Sequence, residues 1–397
     1  MPKPTRKRAS GKPHPDFPLF RHATGRWCKK VKGKFAYFGK VSDDPDGQVA
    51  LALWLDQKDD LLAGRTPRVK SEGLTVRELL NAYLTSKRHL LDTSEITPKH
   101  FAELYACCRR IGDAFGLTRP VADVAADDFE RLRKAIAKTW GPVRLGNEVQ
   151  RVRSVFKFAY ESGLIDRPIR FGPGFKKPTR KVIRLNRAKA GVRMFEAAEL
   201  RTILTAAGQP MKAMILLGIN CGFGNSDVAN LPTKALDLKA GWVDYPRPKT
   251  GVPRRCPLWP ETVAATKEAI ARRPKTKSPA DSGFAFITMH GHRWEKVGVS
   301  EPDPDTGKIV ITNNNPVTQE FGKLIKKLGL HRRGLGFYTL RHTFETAAGD
   351  SKDQVATNAM MGHIDDTMAS AYRERIDDAR LVAVTEHVRK WLFGEQK

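Results

Sequence analysis

Residues 74–165 carry their apolar side chains at helical spacing only, and this constrains the middle of the 397-residue chain more tightly than any other feature. Thr75-x-x-Glu78 has the spacing of a capping box, with Leu79, Leu80 and Tyr83 following on one helix face. Thr97-Pro98 places an N-cap before a proline, which the first helical position accepts because its amide has no partner there anyway. Phe101, Leu104, Tyr105, Cys108 and Ile111 then recur on one face. Two more helices read over Asp127–Lys138 and Val143–Ser162. Amphipathic helices joined by short links solve their burial problem as a small four-helix domain.

The flanks read differently. The first fifteen residues mix Pro, Lys, Arg and Ser with almost no apolar content, so residues 1–16 are expected as a disordered basic arm. From Phe17 to Lys40, turns at Gly25 and Gly33 separate short aromatic-rich runs, the pattern of a small β-meander. A helix from about Asp46 to Ala63 can pack on it through Ala50, Leu53, Trp54 and Leu61, and Arg65–Ser71 reads as a linker, so that 17–70 forms one small β-rich unit. Residues 74–166 are then the helical domain. Residues 167–193 hold ten Lys/Arg and no acid, a solvated linker that can also lie along phosphates. Residues 194–397 are mixed. Helices are expected near 196–207, 210–220, 261–272 and 316–328, and from Leu340 onward. Strands are expected at 241–246, 255–258 and 284–288, and 289–315 reads as a long loop or inserted hairpin. The fold class is mainly α with small β elements (α+β).

Charge narrows the partner. Seventy Lys+Arg against 43 Asp+Glu give a net charge of +27, and residues 1–40 alone carry twelve cations and the single acid Asp16. Such an excess on a chain that is 40% apolar, enough to bury a core, implies a polyanion: duplex DNA first, an anionic membrane surface second. The five cysteines, Cys28, Cys107, Cys108, Cys221 and Cys256, form no C-x-x-C pair and favour a reducing compartment over a disulfide framework. No apolar run reaches the ~18 residues of a membrane span, and no apolar stretch backs the basic N-terminus as in a secretory signal. A cytoplasmic, nucleoid-associated protein is the expectation. His290-x-His292 and His100 lack a carboxylate at ligand spacing and read as surface residues, so no metal or cofactor is expected.

Four signals fall in order in the last 180 residues: Asn220-Cys-Gly-Phe-Gly-Asn-Ser-Asp227; the turn Lys249-Thr-Gly251; Tyr338-Thr-Leu-Arg-His-Thr-Phe344; and Met361-Gly-His363, with Tyr372 nine residues beyond the histidine. Tyr338 and Arg341 stand at i, i+3 on one helix face. Each alone is an ordinary turn or helix end. In this order they resemble the tyrosine recombinase (phage integrase) family, over about residues 194–390. The basic β-rich segment and the helical domain correspond to that family's arm-type and core-binding domains in position and size.

The resemblance implies an enzyme that cuts and rejoins duplex DNA through a 3′-phosphotyrosine, conserving the bond energy without ATP or metal, and acting as a homotetramer on DNA. It implies that Tyr372 is the nucleophile, whose phenol, with a pKa near ~10, needs help losing its proton. It implies that His363 hydrogen-bonds the scissile phosphate, that Arg341 donates two parallel bonds to its non-bridging oxygens, and that Lys249 protonates the 5′-oxygen leaving group. A terminal amphipathic helix with Leu381, Val382, Val388, Trp391 and Leu392 would dock in cis in the free chain and in trans on DNA.

Two positions depart from the family pattern. Gly224 stands where the family has its first arginine, and Tyr338 where it usually has a histidine. Tyr338 keeps an O–H donor. Gly224 leaves the phosphate short of a cation, which Arg254, Arg255 or Lys234 can supply. If none does, the chain is a DNA-binding protein with a recombinase fold and impaired cleavage; a type IB topoisomerase is a third reading of the same chemistry.

Overall fold

The computed structural model describes residues 12–64, 73–301, 309–363, 368 and 372–394. Most of the arm expected over 1–16 and the linker Arg65–Ser71 lie outside the described residues. The chain divides into two compact units, Met1–Thr179 and Arg180–Lys397. Its architecture is mainly helical with small antiparallel sheets, the α+β class expected. All five cysteines are free and buried.

In the first unit, strands β1 (Phe20–Arg21), β2 (Arg26–Val31) and β3 (Lys34–Lys40) form an antiparallel meander in the order β1-β2-β3. Helix α1 (Gln48–Ala63) covers one face, so that Phe17, Leu19, Trp27, Phe38, Ala50 and Trp54 share a small core. The other face leaves Phe20, Phe35 and Tyr37 exposed among cations. Helices α2 (Val76–Asp92), α3 (Pro98–Phe115), α4 (Ala126–Ala137) and α5 (Pro142–Glu161) pack a second core. The capping box forms as its spacing required: the Glu78 amide donates to Thr75 Oγ1 at 3.3 Å, and the Thr75 amide donates to Glu78 Oε2 at 2.8 Å. Glu148, 1% exposed, is buried with a partner, accepting from Arg110 at 2.7 Å.

The stretch 167–193 is more structured than its composition indicates. Phe171 and Phe175 pack against Phe129, with ring centroids 4.8 and 5.3 Å away, and Arg153 donates to the Phe175 carbonyl at 2.8 Å. Two aromatic anchors tie this basic segment to the helical core. In the second unit, its remainder forms α6 (Arg180–Ala190), a helix that buries no residue.

The second unit is built around α8 (Met211–Cys221), in which every residue from Ala213 onward is buried; a helix apolar all round has to be central. Helices α7 (Ala197–Ala206), α10 (Pro260–Ala271), α11 (Pro316–Lys327) and α12 (Thr339–Gly349) contribute to the same core. Strands β4 (Leu236–Asp237), β5 (Trp242–Asp244) and β6 (Arg255–Pro257) make an antiparallel sheet. Strands β7 (Lys296–Val299) and β8 (Ile311–Asn314) pair as the hairpin that was one of two readings of 289–315. The strand expected at 284–288 does not form. Its backbone is shared between isolated bridges, Phe284 with Pro232 and Ile287 with Arg293, and the tight turn closed by the Gly291 amide on the Thr288 carbonyl breaks any longer ladder.

Short helices α9 (Asn225–Ala229) and α13 (Gln354–Met361) bring the motif residues to α8 and α12, and the last helix is α14 (Asp378–Phe393). It docks in cis. Leu381, Val384, Val388 and Leu392 are buried in the core, Trp391 is half-buried against it, and Trp259 donates its ring N–H to the Thr385 carbonyl at 3.0 Å. Val382, expected on the apolar face, is 39% exposed; Val384 takes that place, because the buried stripe runs 381, 384/385, 388, 392 at the helix period.

Candidate active site

Helix α8 ends at Gly222, which has a φ of +65°. An L side chain is strained there, and a Cβ would meet Met361 Sδ at 2.5 Å and the Phe344 ring at 2.8 Å, so only glycine fits. The close approach has a purpose. Arg341, on α12 and 3% exposed, donates from Nη1 to the Gly222 carbonyl at 2.7 Å and from Nη2 to the Met361 carbonyl at 2.5 Å. Two carbonyls from separate elements hold this guanidinium in one orientation, with no carboxylate in that clamp. Burial, then Arg247, pulls the Arg341 pKa below its ordinary value, because both penalise the charged form.

Gly362 follows Met361 as the left-handed cap of α13, with a φ of +62°. A Cβ there would lie 2.8 Å from Arg254 Cδ and 3.0 Å from Arg247 Cβ, so glycine is again required. Its carbonyl accepts from Arg247 Nη1 at 3.2 Å and from Thr250 Oγ1 at 3.4 Å, which fastens the turn carrying Lys249 to the end of α13. Next comes His363, whose Nδ1 lies 3.4 Å from Asn358 Oδ1 and whose amide donates to the Asn358 carbonyl at 3.0 Å. Burial, then Arg341 and Arg247, lowers the His363 pKa, which favours the neutral imidazole. Beside it opens a cavity of about 560 Å³, lined among others by Arg254, Asn358, His363 and Arg373.

The structure thus gathers Arg341 and His363 at adjoining residues of one turn. Lys249 is exposed on the hairpin tied to that turn. Tyr338, 47% exposed, caps α12 with its ring against His342, 5.4 Å between centroids. Its ring also faces Gly224: a Cβ on Gly224 would stand 3.1 Å from Tyr338 Cε2. Tyr372 is 79% exposed, its amide donating to the Met368 carbonyl at 3.3 Å.

The candidates for the missing cation separate clearly. Arg255 is committed elsewhere. It lies over the Trp242 ring at 4.1 Å and bonds Asp244 at 2.7 Å and Asp378 at 2.9 Å. Arg254 is buried, paired with Asp227 at 2.9 Å, bonded to the Tyr245 carbonyl at 2.9 Å and set over the Phe223 ring at 4.5 Å. Asp227 in turn accepts the Gly224 amide at 2.7 Å, so this pair locks the glycine loop to the hairpin. Lys234 is exposed on a short turn of 3₁₀ helix, Thr233–Ala235. A further cation, Arg247, stands two residues before Lys249 on the same turn and bonds the Gly362 carbonyl, with no sequence motif to mark it.

A buried guanidinium held by two carbonyls next to a histidine is an arrangement able to receive an anion. Residues 193–378 match the Phage integrase family. The chain thus carries, over just under half of its length, a Phage integrase domain, the domain of the tyrosine recombinases. No curated protein matches it in sequence. Among solved structures it is similar to the Tn1549 transposon integrase in complex with a circular intermediate DNA, at 17% identity and a TM-score of 0.55 over 80% of this chain and 100% of that one. It is likewise similar to a lambda integrase dimer bound to a COC′ core site, at 17% identity and a TM-score of 0.51 over 91% of this chain and 96% of that one. The lambda integrase tetramer bound to a Holliday junction is also 17% identical, with a TM-score of 0.51 over 92% of this chain and 99% of that one. These likenesses show a shared fold.

Proposed function

We propose that this chain is a site-specific recombinase of duplex DNA, in which the Tyr372 hydroxyl attacks a phosphodiester to leave a 3′-phosphotyrosine and a free 5′-hydroxyl. The observation that carries the reading is the carbonyl-clamped Arg341 next to His363 inside the family-matched segment. Arg341 spreads its remaining N–H donors over the non-bridging oxygens, His363 donates a ring N–H to the same phosphate, and Tyr338 contributes its hydroxyl. Lys249, on an exposed turn, delivers the proton to the departing 5′-oxygen. Reversal needs only a second 5′-hydroxyl, so the bond energy is retained.

Duplex DNA is also engaged away from the reacting phosphate, by the arm at 1–16, the exposed face of the β1–β3 meander and the cationic helix α6. The active assembly is a homotetramer in which α14 leaves its own core and docks on a neighbour. A chain acting on genomic DNA works in the cytoplasm, at the nucleoid; among the described residues no helix is long and apolar enough to cross a membrane.

The test uses a duplex enriched from a randomised pool by binding to the full chain, then nicked beside the cleavage position so that the cut strand diffuses away. Wild type should accumulate a covalent adduct, and Tyr372→Phe should lose it while binding DNA as before, since one hydroxyl and no charge is removed. An adduct that persists in the phenylalanine variant puts the nucleophile elsewhere.

A further inference from the structure

We propose that Arg247 is the second phosphate-binding guanidinium of this site, contacting a non-bridging oxygen of the scissile phosphodiester beside Arg341 and filling the role that Gly224, without a side chain, cannot. The proposal rests on the recombinase reading and names a residue that the family motifs do not single out in this sequence.

The geometry is specific. Arg341 and Arg247 bond consecutive carbonyls, those of Met361 and Gly362, and His363 is the next residue. Two guanidinia are thereby docked next to each other on one turn, arriving from different elements. Arg247 is held at its backbone as well: its amide donates to the Val252 carbonyl, and its own carbonyl accepts from Thr250 and Gly251 at 3.1 and 2.8 Å. The turn that presents Lys249 is therefore closed around Arg247. Arg247 is partly exposed, and its one side-chain bond, at 3.2 Å, leaves most of its five donors for a ligand. Among the described residues no carboxylate pairs with it, whereas Arg254 has Asp227 and Arg255 has Asp244 and Asp378. Like charges this close are held apart at a cost unless an anion joins them, and a phosphodiester with two non-bridging oxygens accepts two guanidinium partners. Both pKa depressions, at Arg341 and at His363, include Arg247 among their causes, as its proximity requires.

Arg254 is the natural rival and is a positioning residue instead. Its side chain is wholly buried, with Nη2 on Asp227 and Nε on the Tyr245 carbonyl; the remaining Nη1 has no partner but is itself shut off from solvent, and the charge is already matched by Asp227.

The experiment measures adduct formation on the nicked, pool-selected duplex for wild type, Arg247→Ala, Arg247→Lys, Arg254→Ala and Tyr372→Phe, with thermal melting as the folding control. Each is repeated on a duplex whose scissile phosphate is a methylphosphonate, in which a methyl group replaces one charged oxygen. Arg247→Ala should keep the wild-type melting temperature and lose roughly 10²–10³-fold in adduct rate. The lysine variant should fall between, having charge without the fork. The uncharged methylphosphonate should restore Arg247→Ala to within about tenfold of wild type, because the charge Arg247 meets has been removed; a merely structural role would show no such rescue. Arg254→Ala should lower the melting temperature and gain nothing from the methylphosphonate. A wild-type rate in Arg247→Ala, alongside a wild-type adduct that Tyr372→Phe abolishes, overturns this proposal and leaves the recombinase reading standing. Methylphosphonate rescue of Arg254→Ala in place of Arg247→Ala transfers the role to Arg254. Absence of any adduct in wild type overturns the recombinase reading itself.

Discussion

Gly224 has a φ of −91° and a ψ of −179°, an extended conformation open to any residue, so its backbone gives no reason for glycine. The nearest obstacle to a side chain is the half-exposed ring of Tyr338, 3.1 Å from a Cβ, which has to give by only a few tenths of an ångström. Gly224→Arg is therefore sterically admissible, and its effect reports on occupancy of the phosphate site. With Arg247 and Arg341 already present, the added guanidinium has no acceptor left, and adduct formation in the wild-type background should stay level or fall. In the Arg247→Ala background the same substitution should recover activity. A gain in the wild-type background, measured as adduct rate on the nicked duplex, would mean that the site is one cation short. His363 offers an independent check. Burial, Arg341 and Arg247 all depress its pKa, so removing Arg247 should raise it, while Arg255→Ala should leave it in place. An NMR titration of the imidazole resolves the direction. Short motifs mark Arg341 and His363 in the sequence, whereas nothing local marks Arg247, whose place beside them depends on a contact to Gly362 across 115 positions of sequence.

Elements were legible where a local rule decides them. The starts of α2 and α3 follow from Thr75-x-x-Glu78 and from Thr97-Pro98, whose side chains make the expected caps. No strand forms at 284–288 because its backbone bonds are taken by Leu231 and by isolated bridges such as that to Pro232, long-range pairings that no periodicity records. In the same way Phe171 and Phe175 were hidden by the cations around them. Helix α14 combines a legible stripe with ion pairs that are not legible. Arg380 forks onto Asp353, the N-cap of α13, at 2.7 Å, and Arg255 onto Asp378 at 2.9 and 3.0 Å. Each bond holds its carboxylate below the ordinary range. A depressed carboxylate contributes stability above its unfolded pKa of about 3.9 and loses it as pH falls through the folded value. Docking of α14 should accordingly weaken below about pH 4, seen as faster amide exchange along 378–393 before the α8 core opens. Both pairs are substantially exposed, so the effect is one of local opening. Truncation after Glu386 is the harsher test. It strips Val388 and Leu392, both fully buried, from the core, at roughly 1.5–3 kcal/mol each. The shortened chain should melt well below wild type without DNA, and it should fail to assemble beyond a monomer on DNA; unchanged assembly would argue against exchange of α14 between subunits.

Over the whole molecule, a net charge of +27 has to be reconciled with packed cores, and the structure does so by keeping cations outside. Helix α6 is the clearest case, since Arg180, Lys181, Arg184, Arg187 and Lys189 all lie on a helix that buries nothing. Isolated in water, an eleven-residue helix with this much self-repulsion is marginal. A polyanion alongside would relieve the repulsion, so α6 should be more helical on DNA than free. The meander contributes differently. Its exposed face sets Arg26 6.0 Å from the Tyr37 ring and Lys30 5.8 Å from the Phe35 ring, arranging flat apolar surface and charge together. Salt separates these contributions from the reacting site. Each phosphate neutralised lowers the log–log slope of affinity against salt by about 0.9 for duplex DNA. Arg184→Gln with Arg187→Gln removes two exposed cations and no hydrogen bond of the core. The double variant should flatten the slope by about 1.8 and weaken binding at physiological salt on every duplex, specific or not. The adduct rate at saturating DNA should stay at the wild-type value, because the Arg341 and His363 clamp is untouched. Arg341→Ala should behave inversely, losing adduct formation at any DNA concentration with a slope change no larger than about 0.9. A slope left unaltered by the α6 double variant would mean that this helix faces away from the duplex, and that the charge excess serves DNA binding through the meander and the catalytic face alone.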